Sequence, residues 1–340
     1  MNALQTIWFL LIGVLLTVYA ILDGFDLGVG FWHLFTKKDE HRRAFLNAIG
    51  PVWDGNEVWL LTGGGAIFAA FPHVYATVFS GLYLALMLVL FALIFRAVSI
   101  EFRSKSPSAG WRNTWDRAFS IGSVVPALLF GVAVGNILRG LPLDSTKNFV
   151  GTFFGLLNPY ALLFGLLSFA MFITHGALYL VLKTESELTL RAKRWAQNVW
   201  GIYLGLFVLA SVVTIITQPQ LLENYFSLPL LWIFPIFAIA MIIAIRVFNG
   251  KDKAGRAFLA SSLAIVGLCA TAASGLFPNL VPALNNPQWS LTVVNASSST
   301  LTLTVMLILA LLGMPIVIGY TIWIYRTFRG KVKLDADLHY

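Results

Sequence analysis

The chain has 340 residues, 58% of them apolar and 11% charged, and carries a formal net charge of +8. That much apolar side chain exceeds what a water-soluble fold can bury, so a soluble globular enzyme is excluded and an integral membrane protein is left. The single cysteine, Cys269, excludes an intrachain disulfide and a thiolate metal cluster, and inside its apolar run it reads as a packing residue.

Nine apolar segments follow along the chain, near residues 7–31, 52–71, 75–101, 115–139, 159–182, 196–216, 228–247, 257–277 and 300–325. Each reaches the ~20 residues that a helix needs to cross the hydrocarbon layer. The predicted fold class is therefore all-α, with nine transmembrane helices, since an open strand edge in lipid leaves backbone groups unpaired. The first segment has no basic leader and runs into the polar string LDGFDLGVG (22–30), so it is expected to be a permanent span and not a signal peptide. The second opens on WDGNEVWL (53–60), with two carboxylates, an amide and two tryptophans where a membrane helix should begin, and continues into Gly63-Gly64-Gly65. The third carries Arg96 and Glu101 near its far end, the fourth Pro126 and the Gly131/Gly135 pair, the fifth His175 and the ninth Pro315. Glycine and proline within such segments mark close helix contacts or kinks. No low-complexity stretch is present, nor any soluble stretch large enough to fold alone.

With nine spans, one side of the membrane receives loops 32–51, 102–114, 183–195 and 248–256 and the tail after residue 325. These loops and their flanking helix ends hold twenty of the twenty-three basic residues, from Lys37, Lys38, Arg42 and Arg43 to Arg326, Arg329, Lys331 and Lys333. The opposite side holds Arg139 and Lys147. By the positive-inside rule the basic face is cytoplasmic, the N-terminus is outside and the C-terminus is cytoplasmic. The positive charge is thus a topology signal and argues against nucleic acid as a partner.

This topology puts Asp23 and Asp26 near the cytoplasmic end of the first helix, and Asp54 and Glu57 in the first turns of the second. Members of each pair are three residues apart and share a helix face. The four acids are expected to converge at one depth, where Arg96 and Glu101 could join them. An acid at a helix start can also be a plain N-cap that gains ~0.3–1 kcal/mol from the helix dipole, and for Glu57 that reading stands beside a functional one. For Asp54 with Asp26 the cost of an ionisable group within a membrane, ~2.5–3.5 kcal/mol, favours an ion or proton pathway. Carboxylates can hold and release protons there, but they do no redox chemistry alone.

The strings LDGFDLGVG, PVWDGNEVWLLTGGGAIFAAFP, FRAVSIEFRSK, WRNTWD, VGNILRGLP and NASSSTLTL, in this order and across almost the whole chain, closely resemble subunit II of the cytochrome bd family of quinol oxidases. The resemblance implies two four-helix bundles plus a peripheral helix, here 1–139, 140–277 and 278–340, paired pseudo-symmetrically with subunit I in a bacterial or archaeal cytoplasmic membrane. In that family subunit I carries two haems of b type and one of d type, together with the quinol-binding loop. The reaction reduces dioxygen to water with electrons from quinol and protons from the cytoplasm, making a proton-motive force without pumping. Small single-helix subunits, membrane lipid and a structural quinone are further candidate partners.

By the same resemblance Asp54, in the WDGN motif, is the carboxylate expected to carry protons towards subunit I. Trp53 would brace it, Asp26 and Asp23 would be neighbours, Asn56 an orienting hydrogen-bonding group, and Arg96 would tune their charge. In relatives the region of Trp59 borders an apolar dioxygen route, and a packing tryptophan is the equal alternative. The glycine run 63–65 would let subunit I approach closely. Position 57 is Glu where some relatives have Gln, and the loop 217–227 is short beside longer members. The haem-free expectation has its own residue argument. Of His33, His41, His73, His175 and His339 only His175 lies well inside a span, and a b-type haem needs facing ligands at matching depth. A lone histidine reads as a hydrogen-bonded packing residue. No family role attaches to His175, and the methionines read as fillers. A proton-coupled secondary transporter is the rival reading, but its acids would gather near the bilayer midplane between repeats, not at one face. A haem-bearing cytochrome b is disfavoured by the missing histidine pairs.

Overall fold

The structure, a computed structural model, describes residues 2–332, so Lys333 and His339 of the sequence reading lie outside the described residues. It contains twelve α-helices: α1 (Ala3–His33), α2 (Asp39–Ile49), α3 (Trp53–Ala70), α4 (Pro72–Gly81), α5 (Tyr83–Phe102), α6 (Ala109–Arg139), α7 (Pro159–Lys183), α8 (Ser186–Thr217), α9 (Glu223–Ser227), α10 (Ile233–Gly250), α11 (Ala254–Leu276) and α12 (Thr300–Thr327). Local chemistry explains several boundaries. Asn2 and Gln5 form a reciprocal capping box at the start of α1, Ser108 caps α6, Asn158 caps α7 ahead of Pro159, and Ser299 caps α12.

Eight of these helices, α1, α5, α6, α7, α8, α10, α11 and α12, are long and apolar enough to cross a membrane. The predicted second span is α3, a helix of 18 residues. It falls short of the other eight because the string WDGNE occupies its first turns. The predicted third span is divided at Leu82 into α4 and α5. Pro72 starts α4 at a position where the missing N–H costs no helix bond.

α1 is the hub. It packs on α3, α6, α7, α11 and α12, while α5 packs on α6, and α7, α8, α10 and α11 pack on one another. The crossing of α1 with α7 is made by two glycines: a Cβ on Gly28 would lie 2.1 Å from the carbonyl oxygen of Phe172, and one on Gly176 2.6 Å from Gly28 Cα. Gly131 and Gly135 do the same for α6 against α7, as such a pair in a membrane helix predicts. α12 is peripheral in the chain, with only 6% of its most apolar stretch buried.

One end of the molecule gathers the loops around residues 140–158 and 278–299. The strands β1 (Asn279–Val281) and β2 (Leu291–Thr292) pair antiparallel there, and Leu141 donates its N–H to Pro282 O at 2.9 Å. Strands are admissible at this place because a loop outside lipid can satisfy its edges with other loops or water. Ser298 N–H to Ala70 O (2.8 Å) and Gln5 to Ser297 (2.8 Å) tie the ends of α3 and α1 to the same cap. The basic loops lie together at the other end, where Lys193 pairs with Asp252, Arg191 donates to Phe35 O at 2.9 Å and Lys183 to Phe328 O at 2.6 Å.

Candidate functional site

The acidic face of α1 is completed by side chains from three other helices. Asp23 and Asp26, fully buried, face Arg96, which α5 supplies and which is itself fully buried. Gly122 of α6 lets the α5 backbone come close at this point, since a Cβ there would lie 2.9 Å from Arg96 N. The guanidinium donates from Nη2 to Asp23 Oδ1 at 2.7 Å and from Nη1 to Glu57 Oε1 at 2.7 Å, with Asp26 Oδ2 at 3.8 Å from Nη2. Asn56, one residue before Glu57 on α3, donates from Nδ2 to Asp26 Oδ2 at 2.8 Å and to Leu22 O at 3.0 Å. Tyr325, near the end of α12, donates to Asn56 Oδ1 at 2.9 Å.

Three carboxylates thus share one guanidinium in a site closed by an amide and a phenol. Fully ionised, the group holds more negative charge than its one arginine balances. A proton is the smallest species that can correct such an excess, and the site therefore has the composition to bind and pass protons. A lone buried ion pair would need no third carboxylate.

Of the residues predicted for this region, Asp23, Asp26, Asn56, Glu57 and Arg96 come together. Asp54 is exposed on the outer face of α3, in a stripe with Val58 (47% exposed), Leu61 (74%) and Phe68 (59%). Glu101 is exposed as well. Trp53 is half-buried against the core of α1, α7 and α11, and Trp59 is buried in a second apolar core with Trp8, Ile12 and Leu15. Gly63 meets Leu16 of α1, whereas Gly64 and Gly65 have nothing within reach of an added Cβ. Tyr325 is beyond the reach of sequence reasoning, because the sequence gives no sign that the last turn of the ninth apolar segment returns to the second.

The histidines can be tested against haem ligation. His175 has both ring nitrogens engaged, Nδ1 with Ser261 Oγ at 2.9 Å and Nε2 with Ile21 O at 3.0 Å. Its ring is stacked on Phe258 at 4.6 Å. It ties α7 to α1 and α11, and does not fit an axial ligand to iron, which needs a free nitrogen lone pair. His33 has Nε2 on Asp116 Oδ1 at 2.5 Å.

The family model for cytochrome bd terminal oxidase subunit II matches residues 4–328. The chain is 41% identical to cytochrome bd-I ubiquinol oxidase subunit 2 of Escherichia coli (strain K12), over 98% of this chain and 96% of that protein. It is also 41% identical to the probable cytochrome oxidase subunit 2 of Haemophilus influenzae, with the same coverage. Identity to the cytochrome bd ubiquinol oxidase subunit 2 of Bacillus subtilis is 35% over the full length of both. The fold is similar to a chain in the structure of bd oxidase from Geobacillus thermodenitrificans, with a TM-score of 0.80 at 16% identity over 96% of this chain and 99% of that one. With the family pattern running through every helix that builds the Arg96 site, this chain belongs to the cytochrome bd terminal oxidase subunit II family.

Proposed function

We propose that the chain is the haem-free partner of a haem-bearing subunit I in a quinol oxidase of a bacterial cytoplasmic membrane, and that it supplies protons from the cytoplasm for dioxygen reduction. The observation that carries this reading is the Arg96 site: two buried carboxylates on α1 and a half-buried one on α3 gathered on one guanidinium, next to a fourth, Asp54, on an outward apolar stripe. A carboxylate on a lipid-depth helix face needs a polar partner. We assign that partner to subunit I and Asp54 to the hand-over of protons, with Asp26, Asp23 and Glu57 behind it, Asn56 orienting Asp26, and Trp53 bracing the helix start. Gly64 and Gly65, open on the chain's own surface, suit a close neighbour at the same face. Trp59 is assigned to the wall of an apolar dioxygen route.

In this reading α3 is the ninth membrane helix, held beside α1 despite its polar start. The chain divides as two four-helix bundles, with α1, α3, α5 and α6 in one and α7, α8, α10 and α11 in the other, and α12 at the periphery. The end carrying the basic loops faces the cytoplasm and the N-terminus faces outside. The electron donor is a quinol, the substrate class in the names of the relatives.

The test is Asp54→Asn in the assembled two-subunit complex. Haem content should be retained and quinol-driven oxygen uptake should fall by about a hundredfold or more, the lower end for loss of a positioned proton carrier. Wild-type oxygen uptake in a fully assembled variant removes the assigned role.

A further inference from the structure

A second buried polar group lies between the Arg96 site and the basic end of the molecule, on α1, α5 and α6. His33 follows Asp26 by seven residues on α1, Arg103, at the end of α5, follows Arg96 by seven, and Ser123 follows Asp116 by seven on α6 with Ser120 between them. Seven residues are two helical turns, about 10 Å of rise, so each helix presents one polar face along its length. The three faces meet in one seam. A Cβ on Gly30 would lie 2.0 Å from Ser123 Oγ, and one on Gly122 2.9 Å from Arg96 N. His33, Ser99, Arg103, Asp116, Ser120 and Ser123 are each no more than 3% exposed.

The outer level of the seam reaches the basic end of the molecule. Asp116 Oδ1 accepts from Arg103 Nε at 2.5 Å and Oδ2 from Arg42 Nη1 at 2.7 Å. Arg103 Nη2 continues to Asp39 Oδ1 at 2.6 Å, and Asp39, with its side chain 45% exposed, also accepts from Arg112 at 3.2 Å. Because Asp116 is an acceptor, His33 donates Nε2–H to it, which leaves the lone pair on Nδ1. That atom is buried and has no hydrogen-bond partner. Arg103 Nη1, Ser120 Oγ, Arg96 Nε, Asp23 Oδ2 and Asp26 Oδ1 are in the same condition. Six unsatisfied polar atoms along one buried seam go against the rule that buried polar groups find partners, and the usual resolution is ordered water.

We infer that this seam between α1, α5 and α6 is the hydrated entrance through which protons travel from the Asp39 mouth to Asp26, with His33 as the relay. His33 Nδ1 takes a proton from water on the cytoplasmic side, and the imidazolium so formed is paired with the Asp116 carboxylate. The same proton then leaves Nδ1 for water beside Ser120 and passes to Asp26. The Nε2–H bond stays intact throughout, and no other covalent bond changes. Arg42 and Arg103 are positioning residues that keep Asp116 an acceptor and so fix the tautomer of His33.

The inference rests on the reading of Asp26 as a proton carrier, and the experiment separates the two. In the purified two-subunit oxidase, quinol-driven turnover and its solvent deuterium isotope effect are measured for wild type, His33→Gln, Ser120→Val, Asp26→Asn and the His33→Gln/Asp26→Asn double variant, with haem content as the assembly control. The expected result is slower turnover in His33→Gln by about a hundredfold, a larger isotope effect, slowing in Ser120→Val, and a double variant no slower than Asp26→Asn alone. Should His33→Gln fail to assemble, Ser120→Val alone decides. Wild-type turnover and isotope effect in His33→Gln and Ser120→Val with a slow Asp26→Asn overturn the seam and leave the Asp26 reading standing. A wild-type Asp26→Asn overturns both. A lowered Tm with an unchanged isotope effect assigns His33 to a structural latch and also overturns the relay.

Discussion

Arg96 is the residue on which the acidic site depends. It is completely buried, and its two terminal nitrogens hold carboxylates from different helices, Asp23 on α1 and Glu57 on α3. Removing one partner of a buried ion pair leaves an uncompensated charge, at a cost of about 3–5 kcal/mol. Arg96→Leu is therefore expected to lower the Tm of the assembled oxidase and its yield from membranes, and adding Asp23→Asn should recover part of the loss by removing one orphaned charge. Arg96→Lys should fail as well, because a single ammonium does not reproduce the fork that reaches two carboxylates. A thermal-shift series followed through haem absorbance checks the order. Equal Tm in Arg96→Leu and the double variant would mean that Asp23 carries no charge next to Arg96. Asp54 differs in kind: it lies outside this fork, and its replacement should leave the Tm in place while turnover falls.

At the scale of helices, the close crossing at Gly28 and Gly176 sets the distance between α1 and α7, and with it the place of every acid on α1. Gly28→Ala puts a methyl group against the Phe172 carbonyl, a backbone atom that cannot rotate away. Overpacking of this kind costs about 1–3 kcal/mol and displaces the helix. Gly64→Ala meets nothing in the chain and raises helix propensity by about 1 kcal/mol. The chain alone should tolerate Gly64→Ala and even Gly64→Leu, whereas Gly64→Leu should loosen the hold of subunit I, measured as loss of co-purification. Retained co-purification with Gly64→Leu would move the subunit contact off this face of α3. The same elements show what a sequence can and cannot reveal. The run of apolar segments, the shared face of Asp23 and Asp26, and the Gly131/Gly135 contact follow from period and composition, which act locally. The break at Leu82 and the return of Tyr325 to Asn56 depend on tertiary contacts between distant segments, and no local pattern encodes them. The outward turn of Asp54 is also tertiary in origin, because α3 spends its inward face on Asn56, Trp59 and Gly63. The heptad spacing of His33 from Asp26 and of Arg103 from Arg96 was visible, but it acquires meaning only once α1, α5 and α6 are known to be neighbours.

The described part of the molecule is polarised along the helices, with a basic, ion-paired end, an end capped by paired loops, and a buried acidic site between them. In the proposed reading such a chain conducts charge in one chemical form, the proton, and His175, the histidine well inside a predicted span, is committed elsewhere. His175 spends both nitrogens on Ser261 and Ile21, and His33 is anchored on Asp116. The proposal that the electron-carrying groups of the oxidase sit in subunit I gives an outcome at the scale of the complex. Affinity-purified alone from membranes, the chain should be colourless, and purified with subunit I it should show a reduced-minus-oxidised haem spectrum and quinol-driven oxygen uptake. A transporter of the rival kind would instead bind its solute with no partner present. Haem retained by the isolated chain in fixed proportion, and lost in His175→Ala, would return an iron ligand to this chain; the hydrogen bonds that hold His175 between α1, α7 and α11 would then have to break to free a nitrogen, and the packing of α7 against both neighbours would change with them.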